Sequence, residues 1–197
     1  MEALRQPLED GRVTVSRVSG TITYPSSITL VAAMNPCPCG FYGHPTKRCS
    51  CSANAVHKYL GKVSGPMLDR MDIHVEVPPV DYNELTNLKP GKSSAEIKRE
   101  VNNAREIQLK RYAGTGIRNN AGLTPKMLKE FCILTDEAND MLKTAFDDMG
   151  LSARGYDRIL KVARTIADLD NSEKIDINHI ALAIQFRSLD QKYWLNI

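Results

Sequence analysis

Four cysteines form the clearest chemical pattern in this sequence. Cys37, Cys39, Cys49 and Cys51 lie within fifteen residues and follow the spacing C-x-C-x9-C-x-C. In an extended backbone, residues i and i+2 point to the same face, and the proline before each of the first two cysteines favours that form. Each pair can therefore present two thiolates to one ion. Four thiolates with no open coordination position are typical of structural, tetrahedral zinc.

The same cysteine pattern is compatible with a mixed ligand set or with free thiols. The spacing is tighter than the common C-x2-C, so His44 or His57 can replace one thiolate, or the thiols can remain metal-free in a loop. Five cysteines and no secretory signal argue against a disulfide framework. Cys132 lies on an apolar helix face and is predicted to be a small core residue.

Two polar residues stand beside apolar runs that we predict to be strands. Asn35 closes ITLVAAMN at 28–35, where it can orient an attacking water or cap the following turn. Arg70 precedes IHVEV at 73–77, where it can stabilise charge on the terminal phosphate of a nucleotide in a neighbouring subunit. The alternative role of Arg70 is an ordinary salt bridge to a nearby carboxylate, either Asp69 or Asp72.

Two further arginines are candidate contacts for phosphates. Arg154 lies near the N-terminus of a predicted helix, where a basic residue opposes the helix dipole. With Arg158 and Lys161 it recurs at helical spacing, which is more commonly a solvated face. Arg17 lies close to the tip of a predicted hairpin, where a cation can follow a nucleic-acid backbone or simply keep the surface soluble.

The first 80 residues should form the elements that position these side chains. VTVSR and TITYP flank Val18-Ser19-Gly20, which is a hairpin signature. ITLVAAM is apolar on both faces and is predicted to be a strand buried in a parallel sheet. IHVEV alternates, as expected for a strand nearer an edge. A helix-like pattern at 2–9 ends at the turn signal Asp10-Gly11.

The rest of the chain predicts helices. Three prolines and mixed polar residues at 78–94 indicate a linker, which we place at 81–94, and residues 95–197 show helical periodicity. Thr124, Ser152 and Asp176 are candidate N-caps, and Pro125 suits the first position of a helix. The predicted fold class is therefore α/β plus all-α, with strands in residues 1–80 and a helical bundle in residues 95–197.

Composition excludes several classes of protein. The 197 residues are 42% apolar and 25% charged, which is ordinary for a soluble globular protein. No apolar run approaches the length of about 18 residues that crosses a bilayer, so we expect no membrane partner and a cytoplasmic location. The net charge of +3 is too small to predict nucleic-acid binding by itself.

Four long motifs resemble one family. LRQPLEDGRVTVSR, VAAMNPCPCG, KVSGPMLDRMDIHVEV and LSARGYDRILKVARTIADL resemble the YifB/ComM family of magnesium-chelatase-like AAA+ ATPases, in the same order and over nearly the whole chain. The resemblance implies a ring, expected to be a homo-hexamer, that uses ATP and Mg²⁺. It also implies that residues 1–80 are the C-terminal part of an AAA+ P-loop core and that residues 95–197 include its helical lid.

Two parts of the family's ATPase site do not occur in this sequence. Neither G-x-x-x-x-G-K-[ST] nor an apolar strand ending in Asp-Glu is found. We therefore expect this chain to be the C-terminal portion of a longer protein and to be inactive alone.

The resemblance gives each candidate residue a role. Asn35 matches the first sensor, Arg70 the arginine finger and Arg154 the nucleotide-contacting second sensor on the lid. The four cysteines match a cysteine-rich loop that favours the YifB/ComM branch. TVSRVSG is similar to a hairpin of the replicative MCM helicases, and Arg17 falls where those hairpins carry a basic residue.

Three functional hypotheses follow from these observations. Because ComM-type members are linked to helicase-like branch migration during natural transformation, we favour a motor that acts on DNA. The first alternative is an ATP-dependent subunit of metal-chelatase or protein-remodelling type. The second alternative is a zinc-stabilised interaction module without activity of its own.

Overall fold

The chain folds into two compact units. A computed structural model describes residues 2–80, 86 and 91–187. Unit 1 is described over residues 2–71, and unit 2 over residues 72–80, 86 and 91–187. Together the units are mostly helical and include one sheet of two strands. The predicted division into residues 1–80 and residues 95–197, separated by a linker at 81–94, stays a prediction, because most of that linker lies outside the described residues.

Unit 1 begins with a short helical segment and a hairpin. A 3-10 turn at Glu2–Leu4 leads into α1 at Arg5–Asp10, and the left-handed Gly11 (φ 61°) ends that helix. β1 (Arg12–Arg17) and β2 (Gly20–Pro25) pair antiparallel, with Arg17 opposite Gly20, so a two-residue turn joins them. The predicted helix and hairpin are both confirmed.

Unit 1 also contains two helices that the sequence interpretation missed. α2 spans Ala53–Leu60, and the Oγ of Ser52 caps it by accepting a hydrogen bond from the backbone of Ala55. α3 spans Gly65–Leu68 and carries a proline in its first turn. Around α3 lies a small apolar cluster of Val63, Met67 and Leu68 with Leu4, Leu8, Leu30 and Met71.

The two predicted strands of a parallel sheet are wrong for the described structure. Residues 26–35 and 73–80 are irregular and largely exposed. Val31 is 90% exposed and Val77 83%. A strand exists only where a neighbour accepts and donates its backbone hydrogen bonds, and the sheet of the described residues consists of β1 and β2 alone. Both runs are apolar, as the sequence shows, but apolar composition does not provide a neighbouring strand to pair with their backbone groups.

Unit 2 is a bundle whose helices match the sequence pattern. The helices are α4 (Ser94–Arg111), a 3-10 turn (Asn120–Gly122), α5 (Pro125–Phe131), α6 (Asp136–Asp148), α7 (Ala153–Leu169) and α8 (Ile177–Gln185). The side chains of Thr124, Ser152 and Asp176 cap α5, α7 and α8 as predicted. Ser93 and Glu96 add a complete capping box at the start of α4.

α7 provides much of the core of unit 2. Ile159, Ala163 and Ala167 on this helix are fully buried, and they pack in one cluster with Leu142 of α6 and Ile180 of α8. Cys132 is buried in the same cluster, as the sequence predicts. None of the helices in the described ranges is long and apolar enough to span a membrane.

Candidate functional site

The four cysteines of unit 1 meet in one cluster. All four Sγ atoms lie within 4.8 Å of one another. The Sγ atom of Cys37 is 3.4 Å from that of Cys39 and 3.7 Å from that of Cys49, and the Sγ atoms of Cys39 and Cys49 are 3.5 Å apart. These separations are too long for disulfides and match four ligands around one ion, since two sulfurs at about 2.3 Å from zinc lie about 3.8 Å apart in a tetrahedron.

Local structure holds the cluster together. The backbone N–H of Gly40 donates to the carbonyl of Cys37 at 3.0 Å, and Gly40 adopts φ +83°, so a tight turn folds the first Cys-x-Cys pair onto itself. Val56 and Leu60, the buried residues of α2, pack against the sulfurs. Cys37 has no exposed surface. The thiols are therefore part of a small core and are not displayed on a free loop.

The environment of the cluster changes the acidity of its thiols. The backbone of Phe41 and of Ser50 lowers the pKa of Cys39 to about 5. The backbone of Cys51 lowers the pKa of Cys49, but burial and the neighbouring thiols outweigh this effect and raise it to about 12. Burial raises the pKa of Cys132, in unit 2, to about 11. A thiolate is the metal-binding form of cysteine, so Cys39 is the thiol most easily deprotonated for a cation, Cys49 would have to release its proton on binding, and Cys132 is an inert core thiol.

Histidine is not positioned to replace a cysteine. Among the described residues, the side chains that can reach one ion are the four cysteines. The Nδ1 of His44 instead accepts hydrogen bonds from the backbone of Thr46 at 3.1 Å and of Lys47 at 3.0 Å. His57 lies exposed on α2.

Arg70 and Asn35 both lie in unit 1. Arg70 follows α3, where its Nη1 donates to the carbonyl of Pro66 at 2.6 Å and its Nη2 forms an ion pair with Glu9. The ion pair with Asp69 or Asp72 considered from the sequence is therefore replaced by one with Glu9. Asn35 is exposed, and its amide lies beside Gly40 in the turn of the first Cys-x-Cys pair, 3.9 Å from where a Cβ of residue 40 would be.

The remaining candidate arginines are exposed in separate units. Arg17 is at the tip of the β1–β2 hairpin in unit 1, and Arg154 is in the first turn of α7 in unit 2. The two basic residues that follow Arg154 on α7 are engaged within unit 2. Arg158 forms an ion pair with Asp72, and Lys161 donates to the carbonyl of Ala121 at 3.0 Å. Burial lowers the pKa of Lys161.

Sequence reasoning missed a buried polar network centred on Asp168. Its carboxylate is fully buried and accepts hydrogen bonds from Arg111 (2.5 and 3.1 Å), Arg164 (3.1 Å), Asn120 (2.9 Å) and Gln108 (3.1 Å). The network joins α4 and the 3-10 turn to α7. The available signal was the spacing of Arg164 and Asp168, which are four residues apart on α7 and next to its apolar stripe.

Removal of the Asp168 charge should destabilise unit 2. In Asp168→Asn the guanidinium of Arg164, itself 1% exposed, loses its buried counter-charge, so we expect a loss of about 3–5 kcal/mol in the free energy of unfolding. Urea unfolding followed by helical circular dichroism measures it. Asp170→Asn is the matched control, because that side chain is 65% exposed and its pair with His179 should contribute below about 1 kcal/mol. Equal stability of the two variants would contradict the prediction.

Comparison with known proteins identifies the family. The sequence model described as "Magnesium chelatase, subunit ChlI" matches residues 1–85, which include the hairpin, the cysteine cluster and Arg70. The model described as "Magnesium chelatase, subunit ChlI C-terminal" matches residues 91–187, the helical bundle of unit 2. The chain belongs to the magnesium chelatase ChlI-like family.

Relatives within this ChlI-like family cover the chain almost completely. It is 41% identical to the uncharacterized protein YifB of Escherichia coli over 192 residues, which is 97% of this chain and 37% of YifB. It is 42% identical to the competence protein ComM of Haemophilus influenzae, over 96% of this chain and 36% of ComM. An uncharacterized protein of Mycobacterium bovis is 37% identical over 95% of the chain. The chain thus spans little more than a third of the length of these relatives.

Proposed function

We propose that this ChlI-like chain is the C-terminal part of an ATP-driven, hexameric ring that remodels DNA. The observation that carries the proposal is the exposed β1–β2 hairpin, which holds Arg17 at its tip in the segment that the first family model matches. A hairpin of this kind can project a cation toward a nucleic-acid backbone. A relative at 42% identity is named as a competence protein, which supports a role with DNA. We place this function in the cytoplasm.

In this proposal Arg70 is the arginine finger of the ring. Its guanidinium would contact the terminal phosphate of ATP held by a neighbouring subunit and stabilise negative charge there. The Arg70 side chain is suited to exchange its present carboxylate partner for a phosphate. Its Nη2 is paired with Glu9, and its Nε is buried without a hydrogen-bond partner among the described residues. ATP with Mg²⁺ would supply the hydrolysable phosphoanhydride bond.

Asn35 and Arg154 complete the proposed ATPase residues. The amide of Asn35 is exposed and closes the run at 28–35, where it would position a water molecule. Arg154 is exposed in the first turn of α7, from which it would contact nucleotide phosphates and couple them to movement of the helical unit.

We also propose that the cysteine cluster holds structural Zn²⁺. The donor set is four thiols, their measured separations fit a tetrahedron, and no coordination position is left for a substrate or water. Cys37, Cys39, Cys49 and Cys51 would act as the ligands. Zinc would hold the loop between residues 37 and 51 against α2 and contribute to the folding of unit 1.

A second candidate function has an observation in its favour. Both matching family models are named for a magnesium chelatase subunit, and a ring of that kind would act instead on a metal-inserting or other protein partner. ATP hydrolysis by a full-length protein that includes the phosphate-binding loop distinguishes the two. We expect forked and single-stranded DNA to stimulate turnover. A flat response to both DNAs, together with stimulation by a protein partner, would reject the DNA motor.

A further inference from the structure

One long segment of unit 1 contains basic residues and no acidic residues. The segment from Gly11 to Leu68 contains six lysine or arginine residues and no aspartate or glutamate. The formal charge of the whole chain is +3, so all other residues together carry −3. A net charge near neutrality therefore conceals a basic segment that includes both the hairpin and the cysteine cluster. Such a stripe is the electrostatic footprint of a polyanion-binding surface.

Four of these cations lie in the loop that carries the cysteines and on or just after α2, which packs against those cysteines. We call them the basic surface: Lys47, Arg48, Lys58 and Lys62. All four are exposed, and no ion pair involves them within the described residues. Two of them rest on aromatic rings, with the Nζ of Lys47 5.1 Å from the ring centre of Phe41 and that of Lys62 5.4 Å from Tyr59. The basic surface is thus without protein counter-charges in this part of the chain.

The folded scaffold fixes where these cations lie. Lys47 and Arg48 immediately precede the ligand pair Cys49–Cys51, and Lys58 is on α2, whose buried face packs on the same sulfurs. Lys62 follows the end of α2. A metal-bound cluster would therefore hold cations from the loop and from the helix in a fixed arrangement, which lowers the entropy lost on binding a ligand.

We infer that the basic surface is a second DNA-binding site, separate from the hairpin tip, that binds the phosphates of single-stranded DNA. The inference deepens the proposed DNA function and rests on it. The partly exposed rings beside the cations, Phe41 and Tyr59, favour a single strand over an acidic protein, because bases stack on aromatic rings. Tyr42, in the loop between the ligand pairs, is 45% exposed.

The negative charge of a zinc–thiolate centre does not cancel the positive charge of the basic surface. Zinc with four thiolates carries −2, so the four cations leave a balance of +2 around the cluster. The sulfurs are also partly or fully buried and receive hydrogen bonds from the backbone. The alternative, in which the cations serve only to stabilise the metal centre, makes a different prediction for DNA affinity and for zinc content.

The test is the binding of fluorescent oligothymidine to the zinc-loaded, 197-residue chain at several salt concentrations. In Lys47→Gln, Arg48→Gln, Lys58→Gln and Lys62→Gln combined, we expect affinity to fall about tenfold or more. We expect the slope of log affinity against log salt to fall by about 3, since each phosphate contact contributes about 0.7 with single strands. The matched control replaces four exposed lysines of unit 2 by glutamine: Lys126, Lys129, Lys143 and Lys174. It should retain the wild-type affinity and slope.

Each result has a definite meaning. If the basic-surface variant loses about tenfold or more in DNA affinity and the wild-type chain and its control do not, while all retain zinc, the inference stands. Equal DNA binding by the basic-surface variant and the unit 2 control overturns the inference, whether or not zinc content falls. The proposed DNA function stays intact in that case if Arg17→Gln weakens DNA binding. A wild-type chain that binds polyglutamate as tightly as oligothymidine overturns the inference in favour of an acidic protein partner. Failure of the wild-type chain to bind any DNA also overturns the inference, whereas the proposed function is rejected by a flat response of full-length ATP turnover to DNA.

Discussion

Cys37→Ser is expected to empty the metal centre and unfold the region around it. Cys37 is fully buried between the other thiols and the apolar side of α2. A serine hydroxyl is not a thiolate, and with three thiolates left a solvent molecule must take the fourth position, which weakens zinc binding and opens the centre to water. In small zinc domains the apparent free energy of metal binding, about 10–16 kcal/mol, is also free energy of folding. Its loss should therefore remove the ordered structure from residue 37 to residue 60.

Metal analysis and hydrogen exchange together measure this result. Wild-type protein should contain about one equivalent of zinc, and Cys37→Ser well below that. Backbone amides of α2 should lose their protection in the variant, while those of α7 in unit 2 keep it. Cys132→Ser is the matched control, because that thiol is buried in the core of unit 2. Zinc retained by Cys37→Ser, or lost equally from Cys132→Ser, would contradict the assignment of the ligands.

Arg70→Ala should abolish ATP turnover in a full-length, ring-forming protein. An arginine finger that stabilises charge on the transferred phosphoryl group is worth about 10³–10⁵ in kcat. Nucleotide binding should change little, because the finger would act on a neighbouring subunit's site and most of its effect would come in the transition state. Steady-state ATP hydrolysis, with nucleotide affinity measured separately, provides the two readouts.

Arg158→Ala is the control for a general loss of stability. Arg158 is also an arginine paired with a carboxylate, Asp72, and its side chain is 21% exposed against 12% for Arg70. Loss of that pair should leave turnover within about twofold, because a partly exposed ion pair contributes below about 1 kcal/mol. Comparable turnover in the two variants, with intact rings, would exclude Arg70 as the finger. Mixed rings of wild-type and Arg70→Ala subunits would show whether it acts between subunits.

The helices of unit 2 could be predicted because their signals are local. Thr124, Ser152 and Asp176 cap helices whose apolar residues recur at helical spacing, and the structure places each helix start at those caps. A hydrogen bond from a cap spans two or three residues, so a short sequence window contains all the information that it needs. The same holds for the hairpin, whose turn and alternating strands are adjacent in sequence.

The strands at 28–35 and 73–77 were wrong because their pairing is not local. An apolar run predicts that a segment is buried, but it forms a strand only if another strand pairs with its backbone N–H and C=O groups. Asp168 escaped prediction for a related reason. Its partners Arg111 and Asn120 are far from it in sequence, and only the folded bundle brings them to one carboxylate.

The cysteine cluster was the part of the site most open to prediction. Cys37 and Cys49 are brought together by a short loop, which the spacing alone indicates, and the structure adds a tight turn at Gly40. The proposed ATPase roles of Asn35, Arg70 and Arg154 depend instead on a bound nucleotide and on other subunits, so they stay predictions. The short helices α2 and α3 were missed although Ser52 is a good cap and Pro66 suits a first turn.

The prolines beside the two exposed apolar runs act as gatekeepers against aggregation. Pro25 and Pro36 flank residues 28–35, and Pro78 and Pro79 follow residues 73–77. Proline has no N–H to donate, so a sheet growing between copies of the chain should stop at these boundaries. Proline also holds the residue before it in extended geometry. The same prolines that would limit misassembly thus also favour extended backbone at Asn35 and Val77.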